Sequence, residues 1–129
     1  MIRYLCIAAL LFTGCAKAPP TLTPVGARAW QANEAVLAIN VLQSAAIGLN
    51  KIQVCPPDPC HPLLSDANTR IVGNTATSAR NTIDAAPAGW KLTAQAALNQ
   101  IAMQLDAAGR TQLAAYLTAA NSVVAALVP

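Results

Sequence analysis

Apolar residues recur at intervals of three and four along most of the chain, the spacing of one face of an α-helix. In the first such segment, residues 25–52, this repeat is formed by Val25, Ala29, Ala32, Val36, Ile39, Leu42, Ala46 and Leu49. Beside it runs a second apolar line formed by Trp30, Leu37, Val41 and Ala45. A stripe this broad predicts a helix about 42 Å long that packs against more than one neighbour.

A proline-dense segment follows, and no helix crosses it because proline removes a backbone donor and clashes with the preceding turn. Residues 55–62 read CPPDPCHP. A second helix is predicted from Leu63 or Ser65 to about Ala86, where residues 87–89 (PAG) end it. The remainder of this helix is rich in Asn, Thr and Ser, and its thin apolar face comprises Leu64, Ala67, Ile71, Ala79, Ile83 and Ala86.

Two further apolar repeats complete the chain. The third helix is marked by Trp90, Ala94, Ala97, Ile101 and Leu105. Asp106 is a suitable N-cap for a fourth helix, whose shared face comprises Leu113, Leu117, Ala120, Val124 and Leu127. Gly109 favours a break near residues 106–110 over one long last helix. We therefore predict an all-α domain over residues 25–129, an up-down four-helix bundle, with three helices and a long last helix as the alternative.

Composition narrows the choice of partners. The chain is 55% hydrophobic but only 4% aromatic and 10% charged, and alanine supplies much of the apolar content. The formal net charge of +3 is carried by scattered single cations rather than by a basic stripe, so nucleic acid is not an expected partner. The uncharged polar surface of the second helix makes self-association an alternative role for that face.

The chain begins with the plan of a secretory signal. Arg3 precedes a short apolar run that closes on Thr13, Gly14 and Cys15. The run is shorter than the about 20 residues that a membrane-spanning helix needs. An A-x-A site at residues 16–18 is a poor alternative because it would leave Pro19 as the first residue.

Residues 12–15 (FTGC) resemble the lipobox of bacterial lipoproteins. The resemblance covers the export segment only, and Phe12 departs from the usual aliphatic residue. It implies that residues 1–14 are removed and that Cys15 is lipidated, with palmitate among the acyl chains expected. Residues 15–24 would then form a proline-rich tether of up to about 25 Å. Ala16 resembles the pattern sorted to the outer membrane, which implies a periplasm-facing anchor there.

Cys55 and Cys60 form an even pair in an exported chain, which favours a disulfide. Alternatively, Cys55, Cys60 and His61 resemble a widened haem-attachment motif, with Met103 as a second axial ligand. The same three residues with Asp58 are a minor candidate for zinc or copper. Our prediction is the disulfide, with no cofactor and no metal.

The sequence offers little for catalysis. His61 is the only histidine, and a cysteine–histidine pair needs a geometry that adjacent residues rarely reach. The five acids are dispersed; Asp66 and Asp106 are expected at helix starts, and Asp84 is expected to face Arg80. No enzyme activity is predicted.

The tryptophans and the last tyrosine suit either packing or binding. Trp30 and Trp90 are expected in the core, with a partner-binding patch as the alternative reading, and the same choice applies to Tyr116.

The sequence therefore predicts a non-catalytic envelope lipoprotein, held in a membrane by Cys15, with a structural or protein-interaction role. Its anchor and size also suit a phage or prophage product. Two alternatives remain: a periplasmic redox, haem or metal module built on Cys55, Cys60 and His61, and the outer-membrane lipoprotein of a spanin lysis pair. Spanin lipoproteins tend to be proline-rich and poorly folded, whereas this chain has long helical periodicity.

Overall fold

A computed structural model of the chain describes residues 23–55 and 59–127. Four α-helices account for most of this part. They are α1 (Pro24–Lys51), α2 (Asp66–Ala85), α3 (Trp90–Gln104) and α4 (Ala107–Ala126). A two-stranded antiparallel hairpin, β1 (Gln53–Val54) and β2 (His61–Pro62), joins α1 to α2, and a 3₁₀ turn (Pro87–Gly89) joins α2 to α3.

The helices run up and down in a closed ring. α1 packs against α2 and α4, and α3 packs against the same two helices from the opposite corner. α1 also contacts α3 across the middle. The prediction of an up-down four-helix bundle is confirmed. The chain also breaks between α3 and α4, at Leu105 and Asp106, rather than continuing as one long helix.

Side-chain caps fix the starts of three helices: Thr23 caps α1, Ser65 caps α2 and Asp106 caps α4. The Thr23 hydroxyl accepts a hydrogen bond from the Gly26 amide at 3.1 Å, and the Ser65 hydroxyl accepts one from Asn68 at 3.2 Å. Such caps satisfy amides that have no partner within the helix. The helix bounds therefore agree with the sequence prediction to within a residue or two.

The core is a single cluster that all four helices share. Every residue predicted on the inner faces of α3 and α4 is buried. Trp90 is 1% exposed and lies in the core as predicted, whereas Trp30 is half-buried and packs against its edge. Alanine fills much of the remainder: Ala32, Ala35, Ala38, Ala46, Ala76, Ala79, Ala94, Ala97 and Ala120.

The predicted inner face of α2 is partly wrong. Ala67 and Ala86 are exposed and Ile71 is only half-buried. The face that enters the core is rotated by about one position and includes two polar residues; it comprises Asn68, Val72, Thr75, Ala76, Ala79 and Ile83. The apolar pattern missed this face because it treats polar residues as exposed. A polar side chain can nevertheless be buried when it has a hydrogen-bond partner.

Asn68 finds that partner at the turn between α3 and α4. Its Nδ2 donates to the Asp106 carboxylate at 3.0 Å, and its Oδ1 accepts from the Asp106 amide at 3.3 Å. The same carboxylate accepts from the Gly109 amide at 2.7 Å, which caps α4. We call Asn68, Asp106 and Gly109 the end cluster. It joins the start of α2 to the start of α4.

Gly109 leaves no room for a side chain beneath Asn68. A Cβ atom there would lie 2.5 Å from Asn68 Nδ2 and 2.7 Å from its Cγ. We expect Gly109→Ala to lower the free energy of unfolding by about 1–3 kcal/mol, because the clash outweighs the gain in helix propensity. Urea denaturation followed by circular dichroism measures this change.

Gly48→Ala is the matched control, since a Cβ atom at Gly48 meets nothing within 4 Å. It should raise stability by about 0.5–1 kcal/mol, the usual difference between glycine and alanine in a helix. Equal effects of the two substitutions would contradict the tight packing at Gly109.

Candidate functional site

Cys15, the predicted lipid acceptor, lies outside the described residues, as does the tether up to residue 22. The structure therefore bears on the anchor only through the first described element. α1 begins at Pro24, nine positions after Cys15. The described candidate sites are the hairpin between α1 and α2, the polar contacts between helices, a groove between α2 and α3, and the outer face of α1.

The hairpin brings Cys55 and Cys60 together in a disulfide, with their Cα atoms 4.1 Å apart. Both residues are exposed. Gln53 pairs with Pro62, and Val54 with His61, directly behind the disulfide. The disulfide and the two strand pairs thus close the connection between α1 and α2.

The hairpin is held against the end of α1 by main-chain and side-chain bonds. The Leu63 amide donates to the Ile52 carbonyl at 2.8 Å. Asn50 Nδ2 donates to the Leu64 carbonyl at 3.0 Å and to the Asp66 carboxylate at 2.8 Å. Asp66 begins α2, as the sequence predicts. These bonds connect the last turn of α1 to the first turn of α2.

Within the residues that the structure describes, His61 has no companion ligands. His61 is exposed on β2, and Asp58, its predicted neighbour in a metal site, lies outside the described residues. Within residues 23–55 and 59–127, no group of three His, Cys, Asp or Glu residues is placed to hold a metal ion. Met103, the proposed second haem ligand, is 80% exposed on α3. Cysteines that are bonded to each other cannot form thioethers to a haem or act as thiolate ligands of a metal ion.

Arg80 reaches across to α1 rather than along its own helix. Its Nη1 donates to Asn40 Oδ1 at 2.5 Å and to Gln43 Oε1 at 2.6 Å, and its Nη2 donates to Thr77 at 3.1 Å. The predicted pairing with Asp84 is not among these bonds. The amide oxygens of Asn40 and Gln43 offer Arg80 two acceptors on α1, while Asp84 is exposed. Arg80 thus joins α2 to α1.

An open groove of about 640 Å³ runs between α2 and α3. Its floor includes Ala79 and Ala97, and its rims carry hydroxyl and amide side chains such as Ser78, Thr93 and Gln100. Arg70 is the one ionisable residue among those that line it. The groove can offer hydrogen bonds to a ligand, but its lining holds no carboxylate, histidine or thiol for acid–base or nucleophilic chemistry.

The end cluster changes the acidity of one carboxyl group. The pKa of Asp106 lies below its usual 3.8, first because of the hydrogen bond from the Gly109 amide and then because of the Asn68 amide. Asp106 is exposed, and both bonds stabilise its charged form. We interpret this shift as the result of helix capping. The sequence identified Asp106 as a cap but gave no signal for Asn68.

α1 has an exposed apolar line on its outward side. We define the α1 strip as Leu37, Val41, Ser44 and Gly48, which are all exposed. The prediction that α1 packs against more than one neighbour is confirmed, but Leu37 and Val41 of the second apolar line are not among the covered residues. α1 does contact several helices, but they cover its other sides.

The apolar character of α1 also gives it the properties of a membrane span. In the described part of the chain, Gly26–Lys51 is the one helix long and apolar enough to cross a membrane, with a mean hydropathy of 1.3. Core helices of bundles meet the same criterion, and here the inner face of α1 supplies Ile39, Leu42 and four alanines to the core. This property alone therefore does not assign α1 to a membrane.

No family model, curated protein or solved structure matches this chain.

Asp106→Asn should alter the dependence of stability on pH. At neutral pH the charged carboxylate accepts stronger hydrogen bonds than an amide does, so we expect the wild type to be the more stable. A lowered folded-state pKa gives stabilisation that is complete above about pH 4 and is lost as the pH falls through that pKa. The difference in free energy of unfolding should therefore shrink between about pH 4 and pH 2.

Urea denaturation over this pH range measures the difference, with Asp84→Asn as the control for removal of one exposed carboxylate. A difference between Asp106→Asn and wild type that stays constant down to the lowest pH would contradict the proposed hydrogen bonds to the charged form.

The chain of residues 16–129, exported to the periplasm without the lipid acceptor and purified without reductant, should carry a disulfide and no haem. We expect its intact mass to rise by about two hydrogens when the Cys55–Cys60 bond is reduced, and its spectrum to have no Soret band. Reduction should lower the free energy of unfolding by up to roughly 2 kcal/mol, since it releases a short closed loop. A mass that includes haem, or two free thiols, would contradict the prediction.

Proposed function

We propose that this chain is a non-catalytic lipoprotein of the cell envelope, anchored through Cys15, that acts by binding another protein. The segment at residues 12–15 supports the anchor because it resembles a lipobox and follows a short apolar run. The bundle supports the second part of the proposal. It supplies a stable helical body with exposed apolar side chains and few charged groups.

The disulfide geometry at Cys55 and Cys60 is the observation that carries the proposal. Disulfides persist in oxidising compartments, whereas cysteine thiols are kept reduced in the cytosol. An exposed cysteine pair placed for a disulfide is therefore what an exported chain would have. This argument is independent of the signal sequence, and both support export.

The tether sets how far the bundle extends from the anchor. Prolines at positions 19, 20 and 24 favour an extended conformation of about 3.1 Å per residue, so Pro24 would lie within about 25 Å of the lipid headgroups. Ala16 favours the outer membrane as the site of the anchor, with the bundle facing the periplasm. A phage or prophage origin would suit the small size and the anchor.

The two alternative functions have less support. A haem or metal module would need Cys55 and Cys60 as thioethers or thiolates, and their placement favours a bond to each other. A redox module would instead alternate between this disulfide and the dithiol, so the bond alone does not argue against it. A spanin-type lysis lipoprotein would be expected to be extended and poorly folded, and residues 24–126 are instead mostly helical.

Replacement of the anchor residue tests the proposal. We expect wild-type protein to sediment with membranes and to be released by detergent. Cys15→Ala should move the protein to the soluble fraction or leave it at the higher mass of the uncleaved chain, because the lipid acceptor is gone. Cell fractionation with metabolic labelling by a palmitate analogue measures both effects.

Cys6→Ala is the matched control, since it removes a second cysteine of the same signal segment. It should keep the wild-type location and label. Unchanged membrane association and unchanged labelling of Cys15→Ala would rule out the anchor.

A further inference from the structure

The side chains of the α1 strip become smaller along the helix from Leu37 to Gly48. Leu37, Val41, Ser44 and Gly48 follow at intervals of four, three and four, so they lie in one line along the helix. The two large residues come first along α1; Leu37 is 47% exposed and Val41 is 44% exposed. The two small residues are nearer its end, where a Cβ atom on Gly48 would meet nothing within 4 Å.

A second copy placed antiparallel to the first would match these sizes. With a two-fold axis between positions 42 and 43, Leu37 lies at the level of Gly48 of the second copy. Val41 then lies at the level of Ser44. Each large aliphatic side chain therefore enters the space above a small residue, which allows close approach of the two helices.

Charge favours the same arrangement. In the antiparallel pair, Glu34 is at the level of Lys51 of the second copy, so opposite charges flank the apolar contact at both ends. In a parallel pair, Glu34 would be opposite Glu34 of the second copy, so like charges would face each other. Gly48 would be opposite Gly48, which would leave a gap between the helices. A two-fold interface of this kind is self-complementary by symmetry.

We propose that the α1 strip binds the α1 strip of a second copy of this chain, forming an antiparallel two-fold dimer. The proposal rests on the protein-interaction role proposed above but not on the lipid anchor. One helix face is small beside the about 800 Å² per partner of standard interfaces, so the dimer is weak in dilute solution. Confinement of both copies to one membrane would raise their effective concentration.

The antiparallel pairing also constrains orientation. The two α1 helices start at opposite ends of the pair. Each start at Pro24 is more than 18 positions from the two-fold axis, so the two starts are about 56 Å apart. Because each tether spans at most about 25 Å, two copies anchored in one membrane would hold their α1 axes closer to the membrane plane than to its normal.

Site-directed crosslinking in native membranes tests the register. Leu37→Cys and Gly48→Cys are made in full-length chains with different tags and treated with a short bismaleimide, alone and after co-expression. We expect a crosslinked dimer only in the mixed sample. In the antiparallel pair, two copies of position 37 are about 16 Å apart along the axis, beyond the reach of the reagent. Wild-type chain controls for reaction at the native cysteines.

A crosslink in either variant alone, without one in the mixed sample, would overturn the antiparallel register. No crosslink in any sample would overturn the dimer. In that case, reactivity of both cysteines toward a water-soluble maleimide would show an uncovered strip, and protection would show that the membrane or another protein covers it.

A second variant separates the dimer from the fold and from the anchor. Gly48→Leu has room in the single chain but would block the second copy, so it should abolish the crosslink between Val41→Cys and Ser44→Cys while circular dichroism stays unchanged. Ala115→Leu, which adds the same side chain to the exposed face of α4, should leave the crosslink intact.

The crosslink should also form in concentrated Cys15→Ala protein. Its persistence there would show that failure of the anchor and failure of the dimer are separate results. Retention of the crosslink in Gly48→Leu would contradict the proposed contact.

Discussion

Alanine in the core determines how closely the helices of this bundle pack, and several other features depend on that closeness. Nine of the 22 buried apolar residues in the described part of the chain are alanines, distributed over all four helices. With such short side chains between them, the helix backbones lie close together, and individual atoms decide what fits. Gly109 is the clearest case: Asn68 occupies the space that a methyl group would need, and uses it to hold the turn between α3 and α4.

The sequence predicted the parts of the fold in which large apolar side chains carry the helical period. Large apolar residues carry the helical period of α3 and α4, so every residue predicted on their inner faces is buried, although the prediction omitted Leu98 and Gly109. α2 was harder because its core face includes two polar residues, Asn68 and Thr75, and the partner of Asn68 is Asp106, 38 residues along the chain. The same applies to Arg80, whose acceptors on α1 are 37 and 40 residues away. Local spacing predicts the nearer Asp84 and contains no information about these contacts.

The polar chemistry of the described bundle is largely used to hold its helices together. Asn50, Asn68 and Arg80 each connect two helices, and the Lys91 ammonium donates to the Leu127 carbonyl at the end of α4. The second apolar line of α1 is different, since the structure leaves its middle residues, Leu37 and Val41, exposed. A broad apolar pattern does not distinguish a second neighbour in the same chain from one in another molecule. On our account, function therefore depends on attachment at one end of the chain and on contact through α1.

The covalent state of the mature N-terminus tests this account most directly. Intact-mass and N-terminal peptide analysis of protein isolated from membranes should show a chain that begins at Cys15, carries acyl groups on that residue, and retains the Cys55–Cys60 disulfide. A chain that begins at Met1 or at Pro19, or an unmodified Cys15, would contradict it.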